Sequence, residues 1–405
     1  MKTLLPMKTL LRVGASTALS LSMGAVAFGQ HYIQTNLQAN TSGVAEATDP
    51  NVVNAWGLAR TSGGVWWVSD NKTGVATLYN GPGTKQSLTV FIPPAVKNEK
   101  TPIGSPTGVI SNSSKTDFLL APGAPAIFIF ATLDGTIAGW NPKVAAAVGE
   151  APPSTHALTV VRQRDGSIYR GLTSGFINGQ RFLYAANFGT GKIDVFDNAF
   201  HAVDLSKMQA NSTDGDGVSD GQAPFTDNQL PANFVPFNVQ AIGDDIVVTY
   251  ALHFEGQKAE TDGPGNGFVD LYNTSGQLLR RFDHGDFLNS PWGVALAPLD
   301  FGRFSHDLLV GQFAGGGDTE NSGVIAAYDL ATGKFKGLLE DANGKTLAIN
   351  GLWALSPANV SPANADPDAA PAAQVYFTAG PNKATAGLFG YLTASPEELT
   401  EGNAQ

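Results

Sequence analysis

The chain has 405 residues, no cysteine, a formal net charge of −11 and only 15% charged residues. The lack of cysteine excludes disulfides, thiol catalysis and cysteine-ligated zinc or iron–sulfur clusters, and the acidic balance argues against nucleic-acid binding because it repels phosphate backbones. With 47 glycines, 24 prolines and 42% hydrophobic residues, the composition is typical of a compact, turn-dense protein with a sizeable core. We also expect no nucleotide or haem cofactor.

Residues 1–29 have the features of a secretory signal peptide. Lys8 and Arg12 form a basic start, and an apolar stretch with small residues follows. We predict cleavage before Gln30, with cleavage after Ala27 as the alternative. The apolar stretch is shorter than the roughly 20 residues that a membrane span needs, so we expect no stable membrane anchor. The protein is therefore predicted to be exported, to the periplasm or to the extracellular space.

The next predicted element is a strand at residues 32–37, where apolar and polar side chains alternate. After it, six short anchors precede strand-like apolar runs at intervals of 51, 64, 66, 55 and 61 residues. The anchors are Trp56-Gly57, Thr107-Gly108, Gly171-Leu172, Phe237-Asn238, Trp292-Gly293 and Trp353-Ala354. A repeat of this length in a glycine-rich chain predicts an all-β fold, a six-bladed β-propeller over residues 30–393. We expect the tryptophan anchors to fill the space between neighbouring blades rather than to stack on a ligand.

The chain ends of the predicted ring meet at the last blade. The sixth unit stops near Leu392 without a fourth strand, so residues 32–37 are predicted to supply the outer strand of that blade and to close the ring. Insertions are expected at about 141–165, 204–233 and 357–373, and residues 394–405 are predicted to be a flexible tail.

Polar side chains beside the anchors and at strand ends are the candidates for a site at the central channel. They are Asp49, Asn54, Asp70, Asn71, Asn187, Asn238, Asn289 and Asn350. Their oxygens suit a hard cation such as calcium, but the favoured interpretation is that they satisfy backbone groups in turns, with ligand binding as the alternative. Asp70 and His253 are the candidates for a catalytic proton carrier, and for His253 a structural role is the favoured interpretation.

A separate acidic loop carries Asp214, Asp216 and Asp220 with intervening glycines. It resembles the calcium loops of thrombospondin type-3 repeats and dockerins, but no bidentate glutamate follows at the EF-hand distance. Local calcium binding and a merely solvated acidic loop are therefore both open, and a bound ion would be expected to stiffen the loop rather than to catalyse. The Gly-x-Ser-x-Gly match at residues 217–221 lacks the strand–turn–helix context of a nucleophilic serine. No histidine pair has the spacing of a zinc protease.

Several longer motifs carry a resemblance to a known family. They are Asn54-Ala55-Trp56-Gly57-Leu58-Ala59, Val68-Ser69-Asp70-Asn71, Phe130-Ala131-Thr132-Leu133-Asp134-Gly135, Tyr184-Ala185-Ala186-Asn187-Phe188, Leu288-Asn289-Ser290-Pro291-Trp292-Gly293 and Phe377-Thr378-Ala379-Gly380-Pro381-Asn382. Together they resemble a family of uncharacterised exported bacterial proteins, which implies a six-bladed propeller, export and no assigned activity. Residues 291–295 are similar to NHL-type repeats, which occur in binding propellers, lyases and calcium lactonases, although the Glu-Gly-Pro strand of the lactonases is missing.

Two functions remain open from the sequence. The favoured one is an exported, monomeric binding or scaffold propeller, stabilised by calcium, whose partner is an unidentified small molecule, glycan or protein. The alternative is a metal-dependent hydrolase or lyase, similar to a lactonase, with its site at the mouth of the central channel.

Overall fold

The computed structural model describes residues 31–96, 102–147, 149–210, 223–317, 319–358 and 373–395. The predicted signal peptide, the acidic loop with Asp214, Asp216 and Asp220, most of the third insertion and nearly all of the predicted tail lie outside these ranges. Two short α-helices, Leu205–Ala210 and Pro381–Ala384, and the 3-10 turns Gly302–Phe304 and Ala314–Gly316 interrupt an otherwise all-β structure. None of the helices within the described ranges is long and apolar enough to cross a membrane.

Six antiparallel sheets of four main strands each form the blades, and the chain runs from the inner to the outer strand of blades one to five. Blade one consists of Ala55–Ala59, Trp66–Asp70, Val75–Tyr79 and Lys85–Phe91. Blade two consists of Pro106–Ser111, Phe128–Thr132, Thr136–Trp140 and Leu158–Arg162. Blade three consists of Tyr169–Ile177, Gln180–Asn187, Lys192–Phe196 and Ala202–Val203. Blade four consists of Phe234–Ile242, Asp245–Leu252, Gly267–Asn273 and Leu278–Arg281. Blade five consists of Pro291–Leu296, Leu308–Gln312, Ile325–Tyr328 and Phe335–Leu338. Blade six consists of Leu352–Pro357, Val375–Ala379, Leu388–Ala394 and, as its outer strand, His31–Ala39. The prediction of a six-bladed propeller is confirmed.

The N-terminal strand closes the ring, as predicted. His31–Ala39 pairs antiparallel with Leu388–Ala394, with Ile33 opposite Thr393. The short strands Ala47–Thr48 and Glu340–Asp341 add to it in parallel. The first and last described strands thus lie in the same sheet, and the edge that blade six would otherwise expose is covered.

Packing between blades explains the strand composition. The second and third strands of blade one are buried along their whole length, because each blade is covered on both faces by its neighbours. The outer strand Lys85–Phe91 is partly exposed. Trp67 of blade one stacks on Phe128 of blade two, with ring centroids 4.0 Å apart. Apolar and aromatic residues therefore fill the gaps between blades.

Glycine lets the inner strands approach one another closely. A Cβ atom at Gly108 would lie 2.7 Å from the backbone nitrogen of Leu172 in the next blade, which is closer than real side chains allow. The same kind of approach recurs at Gly57 and Gly171. The central channel is consequently narrow at this level.

A small hairpin of Leu119–Ala121 and Ala124–Pro125 lies outside the six blades.

Candidate functional site

One end of the channel is open. The C-terminal parts of all six inner strands surround a cavity of about 450 Å³, which we call the open mouth. Its polar lining consists of Arg60, Ser111, Thr173, Ser174, Gln240 and Ser356, and the remaining lining is apolar or glycine. Among the described residues that line the open mouth, Arg60 is the single charged side chain, and no carboxylate or histidine is present.

The open mouth is a preformed polar site rather than a gap in the core. The guanidinium of Arg60 lies over the ring of Trp66, 4.8 Å from its centroid, and burial lowers the pKa of Arg60. Ser111 Oγ donates a hydrogen bond to the carbonyl of Arg60 at 2.8 Å. Gln240 lines both the mouth and a constriction of about 20 Å³ deeper in the channel. That volume holds about one water molecule, so the channel narrows sharply at this constriction.

The other end of the channel is closed by one residue near the start of each inner strand, the second residue in five strands and the fourth, Phe237, in blade four. These residues are Trp56, Thr107, Arg170, Phe237, Trp292 and Trp353. The ring of Trp353 is sandwiched between Trp56 and Phe313, with centroid distances of 3.6 Å on both sides. Trp56 and Trp292 come from blades that are not neighbours, yet their rings are 6.2 Å apart. The side chains therefore meet on the axis, in what we call the axial cluster (Trp56, Arg170, Phe188, Phe237, Trp292, Phe313 and Trp353).

This arrangement corrects the expected role of the tryptophans. They were expected between neighbouring blades, but Trp56, Trp292 and Trp353 pack against one another across the axis. The reason is positional: each lies at the start of an inner strand, where the side chain points towards the centre of the ring. The three rings pack against one another, as the packing interpretation implies.

The structure also changes the third anchor. The strand pairing shifts between Tyr169 and Gly171, as it does between Pro291 and Gly293, so Arg170-Gly171 is the equivalent of Trp292-Gly293. The anchor predicted at Gly171-Leu172 is therefore one residue late, and Arg170 is not among the predicted site residues. The available signal was the glycine at the second anchor position, which Trp56-Gly57 and Thr107-Gly108 share.

Arg170 is a buried charge surrounded by rings. Its guanidinium carbon lies 4.4 Å from the centroid of Phe188, 5.1 Å from Phe237 and 5.5 Å from Trp56. Its Nη1 forms an ion pair with Glu260 Oε2 at 3.0 Å, and its Nη2 donates to the carbonyl of Lys258 at 2.9 Å. Burial lowers the pKa of Arg170, and Glu260 opposes that change.

Glu260 and Lys258 belong to residues 253–266, which connect the second and third strands of blade four; we call this segment the axial loop. Asp262 of the axial loop accepts a hydrogen bond from Ser290 Oγ at 2.8 Å. Burial, and then the charge of Glu260, raise the pKa of Asp262 to about 6. The closed end thus combines a cation, two carboxyl groups and aromatic rings.

His253, the predicted proton carrier, begins the axial loop. Its ring packs on Phe188 at a centroid distance of 4.3 Å, and its Nε2 lies 2.8 Å from the carbonyl oxygen of Gln257. It therefore borders the axial cluster and does not line the open mouth.

Of the predicted asparagines, Asn54 and Asn71 link three blades near the closed end. Asn54 Oδ1 accepts from Trp353 Nε1 at 2.8 Å, and Asn54 Nδ2 donates to Asn71 Oδ1 at 3.1 Å. Asn71 Nδ2 then donates to the carbonyl of Pro106 at 3.0 Å. This chain of hydrogen bonds joins blade six through blade one to blade two.

The other four predicted asparagines also donate to the protein itself. Asn238 Nδ2 donates to the carbonyl of Trp292 at 2.6 Å, and Asn187 Nδ2 donates to Asp194 Oδ2 at 2.7 Å. Asn289 and Asn350 donate to the carbonyls of Glu320 and Gly317, both at 2.8 Å. These bonds are of the kind that the turn-structure alternative implies; ligand binding by these side chains stays a prediction.

Neither of the two predicted aspartates lines the open mouth. Asp49 Oδ2 accepts from the hydroxyl of Tyr79 at 2.6 Å and pairs with Lys85 at 2.8 Å. Asp70 accepts from Thr77 Oγ1 at 2.6 Å within blade one, and burial raises the pKa of Asp70 well above its usual range. Among the described residues, no group of three or more histidine, aspartate or glutamate side chains is placed to hold a metal ion.

Comparisons with known proteins give relatives without an assigned activity. No family model matches the chain. Two uncharacterised proteins of Acanthamoeba polyphaga mimivirus are 28% identical over 325 residues, covering 79% of this chain and 72% of the relative, and 27% identical over 360 residues, covering 88% and 84%. These relatives are viral, so they do not support the exported bacterial origin that the resemblance implied.

Two solved structures illustrate the structural likeness. Virginiamycin B lyase from Staphylococcus aureus is 12% identical, with a TM-score of 0.45 over 90% of this chain and 99% of its own. The PQQ-bound aldose sugar dehydrogenase from Streptomyces coelicolor is 14% identical, with a TM-score of 0.45 over 90% and 98%. Likeness at this level carries no argument about activity.

Proposed function

We propose that this chain is a binding propeller that takes a small polar molecule, or the end of a glycan or peptide, into the open mouth. The observation that carries this proposal is the lining of that cavity. All six inner strands contribute to about 450 Å³ of preformed space, which is in the range of ligand sites. The cavity offers hydroxyl, amide and guanidinium groups but, among its described lining residues, no carboxylate or imidazole.

The charge at the mouth indicates the class of ligand. Arg60 is a positive group in a protein of net charge −11, and its position over Trp66 holds the guanidinium in place. Gln240 adds an amide at the constriction. A ligand that carries an anionic group next to hydroxyl or amide groups, such as a sugar acid or an acidic peptide end, would match this lining.

The test is a binding screen with matched variants. We expect at least one probe from a panel of sugar acids, neutral oligosaccharides and short acidic peptides to raise the melting temperature and to bind saturably in calorimetry. Arg60→Gln is expected to weaken that binding about tenfold or more, because a hydrogen bond to a charged group is lost.

Arg303→Gln is the control, since Arg303 is exposed and also lies against an aromatic ring, that of Phe304. Gln240→Leu supplies a second mouth variant if Arg60→Gln is poorly folded. Equal binding by the wild type and both mouth variants would place the ligand elsewhere.

The hydrolase or lyase alternative makes a different prediction. Its acid–base groups would come from the closed end, where burial raises the pKa of Asp262 to about 6. Turnover of a lactone or ester that Asp262→Asn abolishes and Arg60→Gln spares would favour the enzyme over the binding protein.

Export and calcium binding complete the proposal. Residues 1–29 support export, and the mass of the mature protein tests it: a chain that keeps these residues contradicts the idea. Asp214, Asp216 and Asp220 support a calcium loop. An unchanged melting temperature on addition of calcium after chelation would contradict calcium stabilisation.

A further inference from the structure

We propose that Arg170 forms a second binding site, for the carboxylate of a small organic acid, and that the axial loop keeps this site closed by placing its own Glu260 there. This site lies at the opposite end of the channel from the open mouth and does not depend on the proposed function. In this arrangement Glu260 is an internal substitute for the ligand.

Arg170 carries a charge at a position where packing does not require one. The equivalent residues of the other five blades are Trp56, Thr107, Phe237, Trp292 and Trp353, all uncharged. Burying a guanidinium among rings is costly unless it is paired. An apolar side chain at position 170 would complete the axial cluster without that cost, so the charge calls for a reason other than packing.

Glu260 leaves hydrogen-bonding groups around Arg170 without partners. Glu260 Oε2 approaches Arg170 Nη1 at 3.0 Å, yet this oxygen makes no hydrogen bond with the described residues. In addition, three buried donors have no acceptor among the described residues: Arg170 Nε, Trp56 Nε1 and Trp292 Nε1. Buried donors are normally paired.

A free carboxylate would suit these donors better than the tethered one. It can align both oxygens with the planar guanidinium, whereas the position of Glu260 is fixed by the backbone of the axial loop. A hydroxyl group next to the carboxylate would offer the indole N–H groups a further acceptor. Trp56 is close enough to take part, because its ring centroid lies 5.5 Å from the guanidinium carbon of Arg170.

The form of the axial loop also supports its role as a cover for this site. It has 14 residues (253–266). The corresponding connections are residues 71–74, 133–135 and 188–191 in blades one to three, 313–324 in blade five and 380–387 in blade six. Residues 254–259 are exposed, whereas the side chain of Glu260 is only 5% exposed. The loop therefore has a solvated outer part and one buried acidic side chain that reaches the axis. This is the shape of a lid.

Chemical rescue tests the proposal directly. Glu260→Ala removes the internal carboxylate, so we expect the full chain to lose thermal stability and sodium acetate to restore it saturably. Sodium chloride at the same ionic strength should not do so. By calorimetry, acetate should bind Glu260→Ala about tenfold or more tightly than it binds the wild type, because the competing side chain is gone.

Two further variants keep the test decisive. Glu255→Ala, an exposed position of the same loop, should respond to acetate as the wild type does. Glu260→Gln keeps the shape of the side chain and replaces Glu260→Ala in the calorimetry if the alanine variant does not fold. The double variant Arg170→Met/Glu260→Gln should not respond to acetate at all. The proposal is overturned if acetate binds Glu260→Ala and Glu260→Gln no more tightly than the wild type, or if the double variant responds equally.

Discussion

Individual buried carboxyl groups make the stability of the folded chain depend on pH, in addition to the effect of its surface charges. Asp70 is fully buried, and its carboxylate accepts a hydrogen bond from Thr77. Burial also raises the pKa of Asp270 to about 7. Each of these groups binds a proton more tightly in the folded than in the unfolded chain. The free energy of unfolding contributed by such a group falls as pH rises from the unfolded pKa to the folded one.

Asp70→Asn should therefore flatten the dependence of stability on pH. The ordinary pKa is 3.8, and burial raises the folded value well above it, so the wild type loses up to about 1.4 kcal/mol per pH unit above pH about 4. Asparagine keeps an acceptor for Thr77 and carries no charge. We expect the variant to gain about 1–3 kcal/mol relative to the wild type between pH 4 and 8, as measured by urea denaturation.

Asp244→Asn, at an exposed turn, is the matched control and should track the wild type. If Asp70→Asn also ran parallel to the wild type across this range, the carboxyl group would not be the buried, proton-retaining group described here.

At the scale of elements, the inner strands depend on small residues at their points of closest approach. Gly108 of blade two faces the backbone of Gly171 and Leu172 in blade three. The dihedral angles at Gly108 are ordinary, so the requirement for glycine comes from space and not from conformation. Overpacking at such a point forces neighbouring backbone to move.

Gly108→Ala is expected to destabilise the protein by about 1–3 kcal/mol, because the new Cβ would lie 2.7 Å from the nitrogen of Leu172. Gly317→Ala is the control: the backbone there has an ordinary φ of −107°, and its Cβ would meet only the flexible side chain of Lys383, at 3.6 Å. Thermal unfolding of both variants measures the difference. Equal melting temperatures would contradict the close packing of inner strands.

The elements that sequence predicts well are those with local signals. Alternation at residues 32–37 predicted the closing strand, which is observed as His31–Ala39, and the anchor repeat predicted six blades. Arg170 was missed because the anchor was placed one residue late, although the glycine that follows it was visible. The path of the axial loop has no local signal, since it depends on Glu260 meeting a residue 90 positions earlier in the chain.

At the scale of the whole molecule, the ring has two different ends. The open mouth is lined by all six inner strands, and the axial cluster closes the opposite end with Arg170 and three tryptophans. The sequence predicted a site on the channel axis but favoured asparagines at strand ends. Which side chains face the cavity depends on the strand pairing and the bulges near each anchor, and these are set by contacts between distant segments.

The central claim is that the ring is closed by its own first strand, so cross-linking that strand to its partner is the most direct test. The chain has no cysteine, and Ile33 lies opposite Thr393 while Thr35 lies opposite Tyr391. Opposite residues are about 4.5–5.5 Å apart between Cα atoms, which suits a disulfide, and diagonal neighbours are about 7–8 Å apart, which does not. We predict that Ile33→Cys/Thr393→Cys oxidises to an intramolecular disulfide and raises the melting temperature, while Ile33→Cys/Tyr391→Cys stays reduced. Equal cross-linking of the two pairs, or none in the first, would contradict the closed ring.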